Sequence, residues 1–113
     1  MRGLVVLFLT VLTGCVAAPP PGSPAPSEPA LSLVPYEGGL VVVGSGGREI
    51  GFGRDRPGAL ASVARVEGVA PRPIPCAALG RDGFVTREGV TLIFTEHSFV
   101  GWAQDGRRAG RTC

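Results

Sequence analysis

Residues 16–30, VAAPPPGSPAPSEPA, hold six prolines and no large apolar side chain after Val16. Such a stretch has nothing to bury and stays extended, so it reads as a disordered, semi-rigid linker. At about 3.1 Å per residue it could lift a domain up to ~45 Å from its attachment point. Any core must therefore come from residues 31–113. Of those 83 positions, 15 are Gly and 5 are Pro, and the aromatic side chains number six: Tyr36, Phe52, Phe84, Phe94, Phe99 and Trp102. A segment of this size is near the lower limit at which one core suffices, and its composition favours short strands joined by many turns.

Ahead of the linker, Arg2 precedes an apolar run, Leu4 to Leu12, interrupted only by Thr10. Nine residues are too few to span a bilayer as a helix, which takes roughly 20. They match the core of a signal peptide, with a basic start and small residues at the end. The run closes on Leu12-Thr13-Gly14-Cys15. This quartet resembles the lipobox of bacterial lipoproteins at all four positions. The resemblance implies that the Cys15 thiol receives a diacylglycerol, that residues 1–14 are removed, and that the new amino terminus is acylated. Two acyl chains anchor stably where one is marginal. The competing reading is an uncleaved apolar N-terminus with an incidental cysteine. Within the lipoprotein class, Asp directly after the cysteine favours the inner membrane. Val16 stands there instead, which implies the periplasmic face of an outer membrane; a single-membrane cell stays open. The expected organisation is a signal peptide (1–14), a lipidated Cys15 with its linker (15–30) and a small periplasmic domain (31–113).

All 11 basic residues are Arg, and Lys and Asn are absent. That bias, with the abundance of Gly, Ala and Pro, is what a GC-rich genome produces. It carries no message about phosphate recognition. Without Arg2, 10 Arg face 9 acids, and so even a balance argues against a nucleic-acid partner, which needs a basic stripe.

Once Cys15 is lipidated, Cys76 and Cys113 are the remaining thiols. In an oxidising compartment a disulfide between them is the expected state. It would close a long loop, contribute roughly 4 kcal/mol and hold a C-terminus that would otherwise fray. Two buried free thiols or a metal pair are the alternatives; two Cys and one distant His lack a zinc spacing. No metal or other cofactor is expected.

The β-branched run Gly39 to Gly44 predicts a strand, Gly44-Ser45-Gly46-Gly47 a turn, and Arg48 to Phe52 a second short strand. Asp55 and Pro57 mark a helix start, with Ala59, Val63 and Val66 on its apolar face and Gly68 as its stop. Pro71, Pro73 and Pro75 enforce an extended crossing. Arg81-Asp82-Gly83 predicts a turn before a strand from Phe84 to Thr86. Val90 to Thr95, then Glu96-His97-Ser98, then Phe99 to Ala103 predict a β-hairpin, after which Gln104-Asp105-Gly106 turns the chain out. Together these predict an α+β domain: a small antiparallel sheet, one helix packed on one face and a C-terminal β-hairpin. The order of the strand Ile50-Gly51-Phe52-Gly53, a helix ending at Gly68, a Pro-rich crossing and a hairpin closing on Phe99-Val100-Gly101-Trp102 resembles, in outline, the SmpA/OmlA-like group of small outer-membrane lipoproteins. That likeness implies helices on a three-stranded sheet and an accessory binding role. The chain departs from it by an extra leading strand, a single helix and two cysteines.

Few residues point to catalysis. Gly44-Ser45-Gly46-Gly47 lacks the Lys and Ser/Thr of a P-loop, and Glu49 stands where a dinucleotide fingerprint needs Gly. His97, the one histidine, adjoins Glu96 and Ser98, but neighbours in a tight turn point apart. Ser45 and Ser62 lack the strained setting of a hydrolase nucleophile. Arg54 and Arg56 flank a helix N-terminus and could recognise a carboxylate or phosphate, or simply pair locally with Asp55. Arg107, Arg108 and Arg111 form a basic tail. Trp102 either packs under the helix or anchors a partner from the opposite face, beside Ile93 and Val100. The chain is thus expected to be a non-enzymatic envelope lipoprotein, held on the membrane through its lipid, whose domain is a binding or structural accessory module with an envelope protein as its partner. A periplasmic inhibitor of a cell-wall hydrolase is the alternative, and a small cell-wall hydrolase the weakest reading.

Overall fold

A two-residue turn, Glu37-Gly38, folds the first apolar run back on itself. In the computed structural model, which describes residues 30–113 together with Gly3 and Gly14, β1 (Ser32–Tyr36) pairs with β2 (Gly39–Val43), and β2 with β3 (Glu49–Gly51), all antiparallel. Cys15 and the expected signal peptide and linker lie outside the described residues, apart from Gly3, Gly14 and Ala30. Alternation along these strands turns Leu33, Leu40, Val42 and Ile50 inward, where all four are buried. Val34 and Val43 point the other way and stay exposed. Gly39 is required at the turn: its φ is +140°, and a Cβ there would run into the Ile50 carbonyl.

The helix follows, α1 (Arg56–Glu67), bounded as the sequence predicts. The Asp55 carboxylate accepts from the Gly58 N–H at 2.8 Å, Pro57 sits in the first turn, and Gly68 closes the helix in the left-handed conformation, its N–H donating to the Ala64 carbonyl. Ala59 and Val63 are fully buried. At the far end, Glu67 accepts from the backbone N–H groups of Arg87 and Glu88, which ties the helix to a hairpin turn.

The rest of the chain is an antiparallel meander of β4 (Arg72–Ile74), β5 (Asp82–Val85), β6 (Thr91–Phe94), β7 (Phe99–Gln104) and β8 (Arg107–Gly110), in that spatial order. The domain is thus α+β, with one helix packed against antiparallel sheets of three and five strands and a strand hairpin at its C-terminal end. Helix and both sheets share one core: Leu33, Leu40, Ile50, Ala59, Val63, Leu92, Phe94, Phe99 and Trp102 belong to a single buried cluster. Phe52, Phe99, Phe94 and Phe84 run through it edge to face or tilted, with successive ring centroids 5.1, 5.3 and 5.5 Å apart. Backbone bonds couple the loop before α1 to the start of β7: Gly53 N–H donates to Phe99 O, Phe99 N–H to Arg54 O, and Arg56 N–H to His97 O.

Three expectations need correction. Asp82 and Gly83 are already in β5; the turn lies earlier, where Arg81 N–H reaches the Ala78 carbonyl. Gln104-Asp105-Gly106 does not turn the chain out. Asp105 and Gly106 both have positive φ, the geometry of a tight hairpin, and return the chain as β8. Finally, Trp102 does not share a face with Val100 and Ile93. A β-bulge between β6 and β7 pairs Ile93 with Gly101 but Phe94 with Phe99, which makes Val100 the extra residue. The bulge shifts the alternation by one, so Phe99 and Trp102, three apart, both face the core.

Candidate functional site

Trp102 is 4 % exposed and its indole N–H donates to the Tyr36 carbonyl at 2.7 Å. One side chain of the five-stranded sheet thereby hydrogen-bonds an edge strand of the three-stranded one. The placement under the core is the one found, and Trp102 is removed from the candidate contact residues: its polar handle and its rings are both used inside.

Cys76 and Cys113 are joined by a disulfide, with Cα atoms 4.9 Å apart. The bond brings the C-terminal segment over the sheet face turned away from α1. Gly101 has no room for a side chain there, since a Cβ would run into the Arg111 carbonyl. Arg111 N–H donates to Val100 O, and the Arg81 guanidinium to Thr112 O. Ile93, opposite Gly101 in the ladder, is accordingly 1 % exposed although it lies outside the main cluster. At Gly101 and Ile93 the face that the sequence leaves open is closed, and the chain's own tail runs beside it.

The two arginines at the helix start have different fates. Arg56 pairs with Asp82, not with Asp55, donates to the Thr95 carbonyl at 3.2 Å and lies over the Phe84 and Phe94 rings at 5.4 and 6.0 Å. It clamps α1 to β5 and β6. Arg54 is exposed and lines a cleft between α1 and the β2–β3 end of the small sheet.

This cleft, about 390 Å³, is large enough to receive a small ligand. Its rim carries Arg48 after the glycine turn, Arg54 before the helix and Arg65 in the last helical turn, with one acid, Glu49. Its walls are apolar, from Leu31, Val42, Ile50 and Val66. Ser45, also in the lining, is committed to the turn: its hydroxyl donates to Val42 O at 2.5 Å and accepts from Arg48 N–H at 3.0 Å. Among the described residues, none of the three guanidiniums has an ion-pair or hydrogen-bond partner, whereas those of Arg56, Arg81 and Arg107 all do. Glu49 accepts from the Tyr36 hydroxyl at 2.8 Å, and that bond, followed by desolvation and the carboxylate's charge, raises the phenol above its ordinary 10.0. Of these three arginines, Arg54 is the one that the sequence analysis singles out. Arg48 and Arg65 are 17 residues apart, and only the packing of α1 on the small sheet brings them to one cleft.

His97 is a solvated turn residue, its side chain 86 % exposed and 3.9 Å from Glu96. Of the basic tail, Arg107 bonds Gln104 and lies over the Trp102 ring at 5.9 Å. Among the described residues, no three His, Cys, Asp or Glu side chains gather where they could hold a metal, and no helix is long and apolar enough to cross a membrane. No family model, curated protein or solved structure matches the chain.

Proposed function

We propose that this chain is a lipid-anchored lipoprotein of the bacterial envelope, held at the periplasmic face of the outer membrane through Cys15, and that its domain is a non-enzymatic binding module. The observation that carries the reading is the Leu12-Thr13-Gly14-Cys15 quartet directly behind a nine-residue apolar run with a basic start. The Cys76–Cys113 disulfide suits an oxidising compartment. The prolines between Cys15 and the domain suit a tether that lets the folded part work above the membrane surface. The cleft of Arg48, Arg54 and Arg65 gives that part a place to bind. Cells fed labelled palmitate should label the chain, and Cys15→Ser should abolish the label. Equal labelling of that variant would overturn the anchoring.

A further inference from the structure

We infer that the cleft between α1 and the small sheet is a site for a phosphate monoester bearing an apolar arm. The inference deepens the binding reading and is independent of the lipid anchor. Arg48, Arg54 and Arg65 against Glu49 leave the rim with two positive charges in excess. A phosphate monoester, with a second pKa near 6, carries close to two negative charges at neutral pH and cancels that excess; a carboxylate leaves half of it. A guanidinium fork meets phosphate oxygens with two parallel bonds. Every basic residue in this chain is Arg, so the meeting of three cations in one cleft points to an anion more strongly than their being arginine does.

The apolar walls set the other half of the ligand. Leu31 is 41 % exposed at the cleft mouth, and Val42, Ile50 and Val66 line the inside. A volume of about 390 Å³ falls in the range of small-molecule pockets. It holds a phosphate and a short hydrocarbon or aromatic group, and is too small for a folded partner. The same chemistry occurs in a lipid head group carrying a terminal phosphate and in a free phosphorylated solute.

Phenyl phosphate is the probe. The full chain, in nanodiscs of phosphatidylcholine, is titrated with it by calorimetry, alongside inorganic phosphate and benzyl alcohol. Phenyl phosphate should bind more tightly than either. Arg48→Ala with Arg54→Ala should weaken it by about tenfold or more, charge-assisted bonds being the strong ones. Among the described residues these two guanidiniums make no hydrogen bond or ion pair, so the thermal midpoint should hold. Glu49→Gln keeps a carbonyl acceptor for Tyr36 and removes the opposing charge. It should tighten binding by about threefold, the effect of one screened charge at the rim, a gain that misfolding cannot imitate. No binding by the unaltered chain, or equal binding by the double arginine variant, overturns the site. With phosphatidate added to the discs, weaker apparent binding of phenyl phosphate supports the lipid head group as the source, and unchanged binding supports a free solute.

Discussion

Replacing Cys76 and Cys113 together by serine opens the loop that the disulfide closes and frees the C-terminal tail. The bond links positions 37 apart in sequence. For a loop of that length the chain-entropy treatment gives ~4 kcal/mol at 25 °C. The structure says where the loss falls. Arg111 N–H to Val100 O and the Arg81 guanidinium to Thr112 O still hold the tail non-covalently, so the variant should fold. A loss of ~4 kcal/mol is nonetheless a large share of the 5–15 kcal/mol typical of whole domains. Urea unfolding of the oxidised chain and of the double variant measures it. The midpoint should drop sharply, and the denaturant slope should rise, because the uncrosslinked unfolded chain is more open. A loss under about 1 kcal/mol would refute the reasoning, since the bond would then be constraining nothing in the unfolded chain.

Trp102 is the sole tryptophan, so its fluorescence should be blue-shifted and resistant to quenchers; Trp102→Ala should cost about 3–5 kcal/mol. Gly101→Ala should push the tail off the sheet at a cost of about 1–3 kcal/mol, with hydrogen exchange of the Arg111 amide accelerated first. Tyr36, the sole tyrosine, should titrate above 10.0 by ultraviolet absorbance, and Glu49→Ala should bring it back. Because folding raises this phenol, the Tyr36–Glu49 bond contributes stability below the ordinary phenol value and loses it as pH climbs through the raised one.

The helix was legible because three local signals agree: Asp55 as cap, Pro57 in the first turn and Gly68 beyond the last. The Glu96-His97-Ser98 hairpin was legible for the same reason, alternation ending at a polar turn. β1 was not anticipated, since Pro35 interrupts it; an edge strand tolerates a residue without an N–H. β8 was missed because Arg107-Arg108-Ala109-Gly110 has no strand propensity of its own, and it forms because Asp105-Gly106 supplies a hairpin turn. The face of Trp102 could not be read from alternation, because one bulged residue, Val100, inverts it. The disulfide followed from counting thiols. The cleft was only a third visible: Arg54 stood out beside a helix start, while Arg48 and Arg65 looked like ordinary surface charges until α1 and the β2–β3 turn were placed together.

The intact mass of the chain purified from bacterial envelopes tests the central claim most directly. The mass should be that of a protein that begins at Cys15, carries a diacylglyceryl group and an amide-linked acyl chain, and lacks the two hydrogens lost in joining Cys76 to Cys113. A chain of unmodified mass that still begins at Met1, or one cut in this region without lipid, would contradict it.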